Sequence, residues 1–205
     1  MLEQAAASAV LQVIRDRRSI RRFSPEPIPR QHLEAILEAG RLAPSSNNRQ
    51  PWRFVVVTES HRAAFLEAFA RGVAAEENGN GMLPGRASGC KAAAHTIQVL
   101  ERAPVTVLVL NPIGLAIGQS MTPEEHLFEL NNAQSVGAAM ENMALTACSL
   151  GLGSLWICDI HFAYRQIQDF LGTKEQLIAA MALGYPEEHP AARPRKKAED
   201  CIQWL

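Results

Sequence analysis

Along the first sixteen residues the apolar positions Ala6, Val10, Val13 and Ile14 fall at helical spacing, which predicts an amphipathic helix over residues 4–16 that stops at a basic run. A second helix is predicted from Pro29, with Leu33, Ile36 and Leu37 on one face and Gly40 or Pro44 at its end. The pattern then shortens to β-branched runs. Residues 53–58 (RFVVVT) predict a strand, and their apolar character on both faces predicts an interior position rather than an exposed edge. Residues 105–110 (VTVLVL), set between Pro104 and Pro112, predict a second, buried strand. Two more are predicted at 153–157 and 177–183, with helices over 59–71, 91–102 and 162–171.

The longest predicted element opens at Thr122. Pro123 follows as the first helical residue and Glu125 completes a capping box, so a helix is expected to run towards Leu150. Gly137, Ala138, Ala139, Ala144 and Ala147 keep its middle narrow, which suits a core helix, a subunit seam or both. Gly72, Gly79, Gly81, Pro84, Gly85 and Gly89 crowd residues 72–90, predicting a mobile loop or lid. The tail, 186–205, is polar and basic but ends on Ile202, Trp204 and Leu205. Those side chains are costly to leave in water, so the tail is expected to pack on a partner subunit.

The 205 residues show no shift of composition, so a single domain is expected. The net charge of −1 leaves no basic surplus for nucleic acid. The N-terminus has no positive start before its apolar part, and no uncharged apolar run reaches the roughly 18 residues of a membrane span, so neither a signal peptide nor a membrane anchor is expected. Cys90, Cys148, Cys158 and Cys201 form no Cys-x-x-Cys pair, and Cys148 and Cys158 stand among apolar residues. A reduced, cytoplasmic chain is the simpler reading. No two of the six histidines share a helical face, so no local metal site is expected.

Three stretches carry candidate chemistry. The first, Arg17-Arg18-Ser19-Ile20-Arg21-Arg22-Phe23, surrounds a hydroxyl with four guanidinium groups, a set suited to phosphate, although the run alone reads equally as a solvated basic turn. The second, Pro44-Ser45-Ser46-Asn47-Asn48-Arg49-Gln50-Pro51-Trp52, offers donors and acceptors for the edges of a heterocycle, or else a loop that satisfies its own backbone. The third, Gly151-Leu152-Gly153-Ser154-Leu155-Trp156-Ile157-Cys158-Asp159, reads as a helix stop and a strand. It lacks the third glycine of a dinucleotide fingerprint.

These stretches, together with residues 134–156 and the Leu183-Gly184-Tyr185-Pro186 run leading to Arg195-Lys196, resemble the nitroreductase-like flavoproteins over nearly the whole chain. The resemblance implies an α+β sandwich with a central, mainly antiparallel mixed sheet flanked by helices, dimerised through a long interface helix and swapped termini. It implies FMN at the subunit interface and NADH or NADPH as reductant. Arg17, Arg18, Ser19 and Arg21 would hold the phosphate and ribityl chain, with Arg195 reaching the phosphate from the tail. Pro44, Ser45, Ser46 and Asn48, with Ser135 of the long helix, would approach the flavin from the other subunit. Ile157, Cys158 and Asp159 would pass its N5 and O4 edge, where relatives often carry glycine.

The implied activity is hydride transfer in two halves, from NAD(P)H through flavin N5 to a nitroaromatic, a quinone or a related small acceptor. Other redox reactions occur on such a scaffold, among them dehalogenation, flavin destruction and dehydrogenation. A flavin-sequestering protein without turnover is the reading from another class. The loops at 72–90 and 111–122 would complete the pocket, and no protein acid or base stands out as catalytic.

Overall fold

A computed structural model describes residues 2–83 and 87–205, side chains at 2–7 and 87 excepted. The elements are α1 (Leu2–Asp16), α2 (Arg30–Arg41), β1 (Arg53–Val57), α3 (Glu59–Glu77), α4 (Ala87–Arg102), β2 (Val105–Asn111), α5 (Pro123–Ser149), β3 (Gly153–Ile157), α6 (Tyr164–Leu171) and β4 (Gln176–Gly184). The strands form one sheet in the order β1-β2-β4-β3, with every neighbouring pair antiparallel.

The sheet lies between two helical layers. Strand geometry sends successive side chains to opposite faces. On one face Val105, Val107, Val109, Met181 and Leu183 meet Ile36 of α2 and Val136, Met140 and Met143 of α5. On the other, Leu108, Leu110, Ala180 and Ala182 meet Phe65, Phe69, Leu100 and Ile167 of α3, α4 and α6. β2 is buried along its whole length, which is why its seven residues contain no alternation of polar and apolar character. Each large apolar side chain buried in this way contributes about 1.5–3 kcal/mol.

The long helix begins as its sequence predicts. The Glu125 amide donates to Thr122 Oγ1 at 3.2 Å and the Thr122 amide to Glu125 Oε2 at 2.8 Å, closing the capping box. No described helix is long and apolar enough to cross a membrane.

Two expectations are corrected. β1 is an edge strand, paired with β2 alone. Its apolar residues are covered from above and below by helices, whereas edge position concerns hydrogen bonding in the plane of the sheet, about which side-chain polarity says little. Residues 72–90 are also largely helical: α3 continues to Glu77 and α4 begins at Ala87, leaving residues 78–86 as the connection, of which 84–86 lie outside the described residues. Gly72 and Gly89 are close-packing positions rather than loop residues. A Cβ at Gly72 would strike Ala163, and one at Gly89 would strike the Phe162 ring. Glu76 secures the start of the connection by accepting the Leu83 amide at 3.0 Å and the Met82 amide at 2.5 Å.

The close approach at Gly72 makes a prediction. Gly72→Leu should destabilise the protein by about 1–3 kcal/mol, the usual cost of overpacking. A urea unfolding midpoint equal to that of the parent would contradict the packing of α3 on residues 159–163.

Candidate functional site

The arginine loop leaves α1 at Asp16 and is sewn into the fold by its apolar residues. Ile20 and Phe23 are buried, and Ile20 N donates to Ser154 O at 3.0 Å beside a parallel bridge between Ser19 and Ser154. Two glycines make room: a Cβ at Gly153 would stand 2.8 Å from Ile20 Cγ1, and one at Gly184 would stand 2.9 Å from Phe23 Cδ1. On its other side the loop is held by the start of the tail. Glu188 accepts from the amides of Arg21 and Arg22, and Glu187 N donates to Arg22 O at 2.9 Å. With its backbone fixed in this way, the loop exposes Arg21 and Arg22 and leaves Arg17 and Arg18 partly buried.

Those cations are poorly compensated. Arg17, Arg18, Ser19 and Arg21 line a cleft of about 430 Å³ with Arg15, Arg193 and Arg195, and a smaller cleft of about 270 Å³ lies on the other side of Arg17 and Arg18. Arg17 has Glu141 at 3.3 Å, but among the described residues Arg18, Arg21, Arg193 and Arg195 have no carboxylate within salt-bridge distance. Arg18 Nη1 donates to the carbonyls of Arg15 and Arg17, and its buried Nε finds no hydrogen-bond acceptor, whereas Arg17 Nε is the atom that faces Glu141. Guanidinium groups gathered around one cleft without carboxylate partners suit an anion with several oxygens.

The second stretch forms a strained turn. Asn47, Asn48 and Gln50 have φ near +50°, the left-handed region that asparagine tolerates better than most residues. Ser45 Oγ accepts from Gln50 N at 3.0 Å, Ser46 N donates to Ser135 Oγ at 3.2 Å, and the Arg49 guanidinium lies 4.9 Å from the centre of the Phe128 ring. The turn is therefore fastened to α5 at two points, with Pro44 and Asn48 exposed. Its residues do not line the arginine cleft, so one subunit does not bring the two groups into a common cavity.

At the end of β3, Ile157 is buried, Cys158 is exposed and Asp159 is partly exposed. The reading of Cys158 as one of two cysteines in apolar surroundings is corrected: the chain turns out of the sheet at this point and carries the thiol to the surface. Loss of hydration, then the Asp159 carboxylate, raises its pKa, which keeps it a thiol at neutral pH. Asp159 is gripped from another layer, with Thr96 Oγ1 of α4 at 3.1 Å from Asp159 Oδ2. His161 lies behind it, its Nε2 3.2 Å from Leu177 O, and burial lowers its pKa.

Thr96 and Glu188 were not singled out from the sequence. Each is one polar residue in an ordinary context, and its partner is distant along the chain. The adjoining loop is tied down by another such set: Gln176 Nε2 donates to Glu129 Oε2 at 2.7 Å, Asn111 Nδ2 to Gln176 Oε1 at 3.0 Å, and Leu115 N to Glu129 Oε1 at 3.0 Å. A larger cavity of about 880 Å³ opens between α2 and the ends of β1 and α4, but its walls are mainly apolar, and Arg30 and Arg62 there are paired with Glu34 and Glu59. Arg102 is the one guanidinium there without a carboxylate partner among the described residues, against several around the arginine cleft.

Comparison with known proteins agrees with this geometry. The profile of the nitroreductase family matches residues 14–185. The chain belongs to the nitroreductase family. The match takes in the arginine loop, the 44–52 turn, α5 and the end of β3, and stops before Arg195. Among relatives, an NADH dehydrogenase of Thermus thermophilus is 31% identical over 199 residues, 92% of each chain. An NADPH-flavin oxidoreductase of Vibrio harveyi is 28% identical over 94% of this chain and 72% of its own. A nitroreductase-type protein of Desulfovibrio desulfuricans, solved in complex with FMN, superposes with a TM-score of 0.71 at 29% identity over 96% of each chain. The α+β sandwich described above is thus the fold of the nitroreductase family.

The partly buried His161 imidazole makes stability depend on pH. A histidine whose folded pKa lies below its ordinary 6.5 binds fewer protons in the native than in the unfolded state, so its contribution is intact above pH 6.5 and is lost as pH falls from there through the lowered value. Melting temperature should fall across that window in the parent and fall less in His161→Gln. Parallel pH profiles for the two proteins would refute the assignment.

Proposed function

We propose that this nitroreductase-family protein is a cytoplasmic, homodimeric, FMN-dependent NAD(P)H oxidoreductase. The observation that carries the reading is the cluster of guanidinium groups around one cleft, of which Arg18, Arg21 and Arg195 have no carboxylate within salt-bridge distance among the described residues. A phosphate dianion supplies the acceptors that these groups lack. Arg17, Arg18, Arg21 and Arg195 would hold that phosphate by charge-assisted bonds, and Ser19 would add a hydroxyl to the ribityl chain. FMN and NADPH appear in the names of similar proteins, the Desulfovibrio complex and the Vibrio oxidoreductase.

Bound FMN would supply the chemistry, hydride transfer in two halves from NADH or NADPH through N5 to a nitroaromatic, a quinone or a related small acceptor. The protein's task is to bind, orient and admit. Ile157, Cys158 and Asp159 would border the reacting edge, with Ser45, Ser46, Asn48 and Ser135 contributed by the partner copy and Pro44 packing beside them. A second copy accounts for the separation of the two halves of the site within one subunit. It would also cover the exposed Val10, Leu11 and Ile14 of α1, the groove of about 480 Å³ between α1, α2 and α5, and the exposed Trp204 and Leu205 of the tail. Four free cysteines suit a reducing compartment.

The visible spectrum of the purified protein, recorded anaerobically before and after NADH or NADPH, tests the proposal. A bound flavin spectrum that bleaches with either nucleotide is expected, and bound flavin that neither one bleaches would favour sequestration over turnover. Replacing Arg18 and Arg195 together by Ala should weaken FMN roughly a hundredfold or more, since each charge-assisted bond is worth about 1.5–3 kcal/mol. Unchanged FMN titration in that variant would remove the phosphate assignment.

A further inference from the structure

The end of β3 carries a charge that the binding of FMN does not require. Asp159 opens a 3-10 turn, Asp159–Ala163, immediately after the exposed Cys158. Its carboxylate is partly exposed and has no cation within salt-bridge distance among the described residues. The nearby ionisable groups are the Cys158 thiol and the His161 imidazole, and neither carries a compensating positive charge at neutral pH. The carboxylate is also tethered. Thr96 is buried on α4, and its hydroxyl stands 3.1 Å from Asp159 Oδ2 and 3.1 Å from Ala92 O, so its single proton is shared between the carboxylate and the helix carbonyl.

We propose that Asp159, held in place by Thr96, is a specificity-determining residue that sets a fixed negative charge beside the reacting edge and so admits neutral or cationic acceptors in preference to anionic ones. This rests on the reading of the β3 end as the edge of an FMN site. Like charges repel more where water is partly excluded than in bulk water, and the carboxylate would oppose both an anionic acceptor and the extra negative charge of reduced flavin. Asp159 selects, and Thr96 acts through it as a positioning residue.

The FMN-loaded protein tests this with 4-nitrobenzoate, 4-nitrobenzamide and 4-nitrobenzyl-trimethylammonium, acceptors that share a nitroarene and differ in charge. The ratio of kcat/KM for the amide over the benzoate should fall about tenfold in Asp159→Asn. In Thr96→Val it should fall less, and Thr96→Ser should restore it. Two readouts do not depend on turnover: the midpoint potential of bound FMN should rise in Asp159→Asn, and 4-nitrobenzoate should perturb the oxidised flavin spectrum of that variant at lower concentration than it does in the parent. Tight FMN binding with an unchanged ratio and an unchanged potential in Asp159→Asn overturns the proposal alone. Failure of the parent to bind FMN overturns the cofactor reading and this proposal with it.

Discussion

A loop that carries four arginines in six residues tends to fly apart, since each close pair of like charges repels by an amount on the order of 1 kcal/mol even in water. Here it is held by what alternates with the charges. Ile20 and Phe23 enter the core, and the backbone between them is bonded to Ser154 on one side and to Glu187 and Glu188 on the other. Glu188 spends its oxygen on backbone amides, and among the described residues only Arg17 of the loop has a carboxylate partner, Glu141. The charges therefore remain available, and the site exists because the apolar residues and the sheet bear the cost of assembling it.

The same constraint reaches the sheet. Gly153 and Gly184 start β3 and end β4 as register partners, and both are needed small: one admits Ile20 and the other admits Phe23. Glycine there serves close approach of another backbone rather than turning. The third segment of the site depends on the same strand, because β3 leads directly from Gly153 to Ile157 and the exposed Cys158. The arginine loop and the Cys158 turn are thus held apart by the five residues of β3, whose four steps of about 3.3 Å span roughly 13 Å.

The periodic parts of this fold are legible from the sequence. The VTVLVL run, the Thr122 capping box and the helical spacing of Leu33, Ile36 and Leu37 each express a local rule, and each stands where the rule puts it. Local rules fail where a residue's neighbour is remote. Gly72 and Gly89 look like loop residues until Ala163 and Phe162 are brought against them, and the edge position of β1 is decided by which strand lies on its free side. The site divides similarly. The arginine cluster is visible because its members are consecutive, and the 44–52 turn because its composition is unusual. The Thr96 bond to Asp159 spans 63 positions, and the Glu188 bonds to Arg21 and Arg22 span more than 160, so no local pattern could announce them.

That division also separates what the family conveys from what it leaves open. On the proposed reading the arginine loop holds a phosphate, a task that requires charge and little else. On the same reading, choosing an acceptor depends on the few groups at the end of β3, the Asp159 carboxylate among them. In flavin chemistry the difficult electron transfer belongs to the cofactor, which leaves the protein selective mainly through shape and charge at that edge. On the proposed reading the Cys158-Asp159 pair stands at that edge, and Thr96, within hydrogen-bond reach of the carboxylate, limits how far it turns into solvent and is screened.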